Sequence, residues 1–379
     1  MTKARNYRNE IADQCISCDL CKEDCLLLEE IDQDLVDIAV RNPEVEEAYA
    51  CFLCGQCEAV CPIGLSPARM FAQRRTEAVA TGEIDIDELR YMFPDRPLTV
   101  MSMYREYNII NYQDLKLNVN GEVGFFPGCT MMTYAPALTR KIFATLQESH
   151  PQLVFLDDCC GMPFYQLGML PRGKKSQALL KEKVTKLGIK SLVAACPHCY
   201  YELREVLQDQ GIQVVTVYDI IKGLHQENLN GEPARCAIHD SCPDRFEGVF
   251  GQQVRNALQQ RSYEITEMEH NRQTAFCCGS GGQVSHFRPD FSQEVVERRL
   301  QEATAAGADT LVAYCLNCVL NLSKNSPDLK ITHALNVLLD IDEDYDGIKM
   351  QVNEMLAGPE GEARWNRIME ESERGDENE

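Results

Sequence analysis

Eighteen of the 19 cysteines in this 379-residue chain fall into two spacing patterns, and each pattern occurs twice. The first pattern reads Cys15, Cys18, Cys21, Cys25 and then Cys51, Cys54, Cys57, Cys61, followed by Pro62. Three cysteines at steps of three, with a fourth four further on, wrap thiolates around a cubane [4Fe-4S] cluster, whereas zinc ribbons use separate C-x2-C pairs. The second pattern reads Cys129, Cys159-Cys160-Gly161, Cys196-Pro197-His198-Cys199, and again Cys242, Cys277-Cys278-Gly279, Cys315-Leu316-Asn317-Cys318. A chain that must gather so many sulfurs can adopt only a fold that returns distant segments to a few shared points.

The second pattern is an internal duplication. Cys129 to Cys242 is a shift of 113, Cys160 to Cys278 of 118 and Cys199 to Cys318 of 119. Each copy offers five thiolates where a cubane needs four, so an ordinary cubane leaves one ligand over. A strained vicinal disulfide, a redox dithiol or half a zinc site would each account for part of the pattern. Two matching copies favour cluster ligation. Cys236 stands outside both patterns, on the apolar run Arg235-Cys236-Ala237-Ile238, and is expected to be a buried core thiol.

Nineteen cysteines in a chain of this size, without a basic and apolar leader at Met1 to Asn6, fit a reducing compartment, and a cytoplasmic location is expected. The formal charge of −22 argues against nucleic acid, which needs clustered Lys and Arg. No stretch reaches the roughly 18 uncharged apolar residues of a membrane span, so any membrane contact is expected to be peripheral, through a membrane-bound partner. Glu370 to Glu379 is a polar, acidic run expected to stay disordered.

Up to about residue 120 the chain reads as helical. Leu26-Leu27-Leu28, Ile31, Leu35, Ile38 and Ala39 recur near the helical period between the two cysteine runs, and Pro43 interrupts them. In paired runs of this kind the fourth cysteine ligates the other cluster. One set is then Cys15, Cys18, Cys21 and Cys61, and the other Cys51, Cys54, Cys57 and Cys25. Pro62 is expected to end a local helix after Cys61, while Leu26 stands where a proline usually follows Cys25.

From about Gly121 short apolar runs alternate with helical stretches, which predicts βαβ units and a largely parallel sheet. The expected strands are Val123–Phe126, Leu153–Leu156, Ser191–Ala195, Gln213–Val217, Arg235–His239, Ala275–Cys277, Thr310–Tyr314 and Lys330–Thr332. Almost every cysteine of the second pattern sits at the carboxyl end of one of them, where open α/β sheets place their sites. The expected division is a helical ferredoxin-like domain over 1–120, two repeats over 121–230 and 231–340, and an extension over 341–379.

At these residues the chain resembles a known family. The two five-cysteine sets match the cysteine-rich CCG domain of heterodisulfide reductase catalytic subunits, over roughly Gly121 to Asp340. The region from Cys15 to Cys61 is similar to the ferredoxin-like subunit of the same enzyme, with the two parts fused as in its membrane-linked form. The resemblance implies an α/β domain of two duplicated parallel βαβ halves behind a mainly helical domain with two [4Fe-4S] clusters. It also implies a noncubane [4Fe-4S] cluster on each complete five-cysteine set, the pair reducing a disulfide between them. All ten cysteines would then act catalytically as cluster ligands. Related CCG proteins of glycerol-3-phosphate dehydrogenase and lactate utilisation often have altered motifs and pass electrons to a quinone or a partner, so the complete motifs here favour the reductase reading.

No G-x-G-x-x-G follows a strand, so a dinucleotide or flavin must be bound elsewhere. A flavoprotein, a hydrogenase or another donor subunit is the expected source of electrons, and a disulfide or a quinone the acceptor. Gly161, Gly279, Gly281 and Gly282 are expected to let backbone pass close to a cluster. His198 is expected to donate to cluster sulfur or simply to pack. His239, Asp240 and His286 are read as structural, and Arg172, Lys174 and Lys175 as a basic island that would suit an anionic substrate but that by default is a solvated helix start.

Overall fold

The computed structural model describes residues 5–221, 234–324, 326 and 329–374. The expected division at 230–231 and the last five residues of the acidic tail lie outside them. Among its described residues the first section holds helices and no strand, with helices at Tyr7–Gln14, Leu26–Ile31, Leu35–Arg41, Val45–Ala50, Gln56–Ala59, Pro67–Thr81 and Val100–Tyr107. Local chemistry sets these limits. The Asp34 carboxylate caps Leu35–Arg41 by accepting from Val36 N at 2.7 Å. Ser66 caps Pro67–Thr81, whose proline stands at the first turn, and Gly82 ends that helix at φ 70°. The expected helical spacer between the cysteine runs is three short helices, broken after Ile31 by Asp32 at a left-handed φ of 48° and after Arg41 by Asn42 at φ 66°.

Two four-stranded parallel sheets follow. The first holds β1 (Val123–Phe126), β2 (Val154–Phe155), β3 (Ser191–Ala194) and β4 (Gln213–Thr216) in the order β2-β1-β3-β4. The second holds β5 (Arg235–His239), β6 (Glu264–Ile265), β7 (Thr310–Ala313) and β8 (Lys330–His333) in the order β6-β5-β7-β8. The order is the same, so the sequence duplication is a duplication of topology. Strand residues buried on both faces explain the continuous apolar runs: Phe125, Leu192 and Val193 in one sheet and Ile238, Leu311 and Val312 in the other are fully buried. Both sheets share one hydrophobic core, joined by ring contacts of Phe250 with Tyr200 and Tyr314.

One expected strand does not form. Ala275–Cys277 is irregular, and the edge strand of the second sheet is Glu264–Ile265. Ile265 lies twelve residues before Cys277, whereas Phe155 lies four before Cys159, so a longer loop separates edge strand from cysteine pair in the second repeat. The loop is anchored at Asp240, whose carboxylate accepts from Arg272 N at 2.7 Å.

The helical section packs on this second repeat. Its core, which includes Ile11, Leu27, Ile38 and Phe71, continues into Cys277, Val284, Phe291 and Val295. Arg75, fully buried on the helix Pro67–Thr81, ties the parts together. Its guanidinium donates to Ala48 O at 2.8 Å, Cys51 O at 2.6 Å, Gln166 O at 2.5 Å and Gly282 O at 2.7 Å. Four buried carbonyls from three segments are thereby satisfied by one side chain. Arg245 makes a second tie, from the second repeat to Cys54 O at 3.0 Å.

Beyond β8 the helices Ile348–Met355 and Gly358–Arg374 return to the helical section, where Met355 and Ile368 are buried with Leu98, Met103 and Tyr104. The acidic run therefore begins inside a helix: Glu370 to Arg374 complete it, because the preceding turns bury Ile368 and stack Trp365 on Tyr91. Among the described residues no helix is long and apolar enough to cross a membrane.

Candidate iron–sulfur centres

The thiols of the helical section gather in two groups. Cys15, Cys18, Cys21 and Cys61, with Cys57, line one small cavity, and the first three and Cys61 act electrostatically on one another. Cys25, Cys51, Cys54 and Cys57, with Cys21 and Cys277, line a second cavity of about 60 Å³. Burial pushes the thiols of Cys25 and Cys51 up to about 12 and that of Cys21 up to about 11. At Cys51 the Leu53 N–H, 3.4 Å from Sγ, opposes this, and Leu65 N lies 3.3 Å from Cys61 Sγ. Clustered, desolvated thiols with N–H groups aimed at them suit a cationic iron–sulfur core, which compensates thiolate charge that burial alone disfavours.

The ten cysteines of the repeats come together as one string of thiol contacts. In the first repeat the string runs Cys129, Cys159, Cys160, Cys199, Cys196, and in the second Cys242, Cys277, Cys278, Cys318, Cys315. Cys196 meets Cys315 and joins them. Donor neighbours hold Cys160 and Cys196 well below the ordinary thiol range, while Cys159 and Cys199, which donate those hydrogen bonds and keep their protons, lie well above it. The string places each set at the carboxyl ends of its strands: Cys129 follows β1, Cys196 follows β3, Cys242 follows β5 and Cys315 follows β7. Sulfur donors alone, with no oxygen ligand among them, fit soft iron–sulfur chemistry rather than a hard cation.

Glycine enters for several reasons. Gly128, which no cysteine spacing marks out, has φ 89°, and a Cβ there would stand 3.3 Å from Cys199 Sγ. Gly161 at φ 85° and Gly279 at φ 76° supply left-handed turns after the cysteine pairs, and their Cβ positions face Gln177 and Ser292 rather than sulfur. Gly281 and Gly282 make room for the backbone of Phe52 and Cys51, at 2.5 and 2.4 Å from a Cβ. Their role is to seat the helical section against the second repeat.

An inner cavity of about 240 Å³ is lined by cysteines of both repeats, with His198 and with Thr130 and Asn317 hydrogen-bonded across the repeats at 3.0 Å. Met101, Cys129, Pro163, Gln283 and His286 line both this cavity and an outer cleft of about 810 Å³. His286 thus stands at the junction, its Nδ1 2.8 Å from the Tyr91 hydroxyl, with burial lowering its pKa. Of the basic island, Lys175 lines the outer cleft, and Arg172 does so while pairing with Asp95 at 2.6 Å and stacking over Phe93.

Two buried histidines carry more than the sequence suggested. His239 and His333 are fully buried, burial pushes them down to about 3 and about 4, and the Nε2 of each has no hydrogen-bond partner. Asp240 has the structural role expected of it, in a buried pair with Arg255 at 2.7 Å. Cys236 is fully buried in β5.

The cysteine-rich CCG domain matches this chain twice, at residues 123–204 and 236–323. A dihydromethanophenazine:CoB–CoM heterodisulfide reductase subunit of Methanosarcina mazei is 25% identical over 316 residues, 78% of this chain and 77% of that protein. A fumarate reductase (CoM/CoB) subunit of Methanothermobacter marburgensis is 23% identical over 359 residues, 86% of this chain and 71% of that one. Lactate utilization protein A 1 of Bacillus mycoides is 21% identical, covering 57% of this chain and 96% of its own length. With two CCG domains built on two matching sheets, the chain is an iron–sulfur protein of oxidoreductase type, homologous to a subunit of heterodisulfide reductase.

Proposed function

We propose that the chain is the disulfide-reducing subunit of a larger oxidoreductase. Cys15, Cys18, Cys21 and Cys61 would hold one cubane cluster and Cys51, Cys54, Cys57 and Cys25 the other. The five cysteines of each repeat would hold a noncubane cluster. When bound, these groups supply single-electron transfer, two electrons and two protons converting one disulfide into two thiols.

The observation that carries this reading is the contact of Cys196 with Cys315, which brings four cysteines of each five-thiol set to the lining of a single inner cavity. A disulfide has two sulfurs to accept, and the cavity presents one cysteine set to each. The outer cleft would admit a substrate, and Met101 and Pro163, which line both it and the inner cavity, would form the passage between them. His286, with Tyr91 behind it, is positioned to hand a proton to a departing thiolate at Nε2. Cys277 beside Cys54 supports entry of electrons from the helical section into the second repeat. A donor protein, flavoprotein or hydrogenase, would feed that section from outside.

The names of two relatives favour a second reading, in which the chain relays electrons within a dehydrogenase or reductase complex and breaks no substrate bond: one belongs to a fumarate reductase and another is a lactate utilization protein. Paramagnetic resonance of the anaerobically purified chain, mildly oxidised with a panel of thiols, separates the two. A new signal on thiol addition is expected for the reductase. Silence across the panel, together with quinone reduction by the reduced chain, would establish the relay instead.

A further inference from the structure

The two repeats share topology but differ at one matched pair of positions. Phe126 ends β1 opposite Ala194 and precedes Cys129 by three residues; His239 ends β5 opposite Ala313 and precedes Cys242 by three. Each repeat also has a 17-residue helix, Leu170–Lys186 or Pro289–Ala305, whose eleventh residue is Leu180 in the first and Arg299 in the second. All four side chains are buried. The matched positions are thus apolar in the first repeat, Phe126 and Leu180, and polar in the second, where His239 and Arg299 are hydrogen-bonded.

Arg299 decides the tautomer of His239. Its Nε–H can only donate, and it lies 3.0 Å from His239 Nδ1, so Nδ1 accepts and the ring proton sits on Nε2. The same guanidinium is fixed by Glu302 at 2.6 Å and by His270 O at 2.7 Å. His239 Nε2 is fully buried and unpartnered, and an imidazole nitrogen of His239 lies with the sulfurs of Cys278 and Cys318 inside a 4.8 Å group. An N–H left without a partner in a dry interior is costly, and an iron–sulfur group held by the neighbouring Cys278 and Cys318 would bring it an acceptor sulfur. Ligation of a metal through Nε2 would require the proton to move to Nδ1, where it would point at the Arg299 N–H.

We infer that His239, oriented by Arg299, donates its Nε2–H to sulfur at the second five-thiol site and raises the reduction potential of the group held there above that of the group held by the first repeat. Hydrogen bonds to cluster sulfur stabilise the more negative, reduced state. The duplicated sites are then unequal, and the one nearer Cys54 is the easier to reduce. This inference rests on the reading that Cys242, Cys277, Cys278, Cys315 and Cys318 hold an iron–sulfur group.

The test uses the full chain, purified anaerobically, with iron and sulfide counted and each couple titrated by paramagnetic resonance. His239→Phe, which reproduces the first repeat, should keep its iron and lower one midpoint by about 59 mV, a tenfold change for one electron. His239→Gln keeps an N–H and should restore most of that shift. Arg299→Leu frees the ring to change tautomer and should lower the same midpoint, and it decides the matter should His239→Phe fail to fold. Unchanged midpoints in fully loaded variants would overturn the inference. Loss of about four irons from His239→Phe would make His239 a ligand and overturn it equally. Wild-type chain that holds only about eight irons would sink the underlying reading and the inference together, an outcome distinct from both.

Discussion

Cys196, the first residue of the C-x2-C in one repeat, meets Cys315, the first residue of the C-x2-C in the other. Residues separated by 119 positions touch because each ends the central region of its own sheet, after β3 and β7, and the two sheets face a shared core. If a disulfide is divided across that junction, neither half works alone. Cys278→Ser should therefore lower disulfide reduction by more than about a hundredfold, beyond the range for residues that merely support a ligand. Cluster reduction in the helical section, followed optically, should persist. Retention of most thiol production would show that one repeat suffices.

Iron content follows from the thiol sets. Eight cysteines in the helical section and ten in the repeats predict four four-iron clusters, about sixteen irons with matching labile sulfide per chain. Anaerobic assay checks it. A value near eight would leave the repeats without clusters.

The crossed pairing of the ferredoxin-like runs has a local consequence. Cys61 lies beside Cys15 and Cys21, while Cys25 lies beside Cys51 and Cys54. Cys61→Ser should strip or convert the cluster of Cys15, Cys18 and Cys21 and leave the other signal intact. Selective loss of the signal from the Cys51, Cys54 and Cys57 cluster would mean that each run closes its own site.

Arg75 should be among the costliest single positions in the chain for stability. Truncation to Ala leaves the carbonyls of Ala48, Cys51, Gln166 and Gly282 buried without their donor and opens a cavity beside Tyr49. At roughly 1–3 kcal/mol for each unsatisfied group, less what relaxation and water recover, a loss of about 4 kcal/mol is expected. Chemical unfolding of the apo chain measures it. Arg75→Lys, with one ammonium in place of a planar fork, should recover less than half.

The cysteine spacings alone marked out 18 thiols in two repeated patterns, because ligand spacing within a run is a local property of turns and helix starts. The duplicated βαβ order was equally legible, since strands buried over their last three residues, such as Val123–Phe126 and Thr310–Ala313, read as short, largely apolar runs. The edge strand of the second sheet was not. Glu264–Ile265 is two residues long and half polar, and the apolar Ala275–Cys277 nearer the cysteine pair drew the expectation instead. Only tertiary structure could show that Gly281 and Gly282 seat Cys51 and Phe52, or that Cys196 reaches Cys315. The same holds for His239, which looks like any strand-end histidine until Arg299, 60 residues away, occupies its Nδ1 and leaves a buried, unpartnered N–H at Nε2. Periodicity and spacing record how a residue relates to its neighbours in the chain, while the partner that decides a tautomer or closes a site is chosen by packing between segments far apart in it.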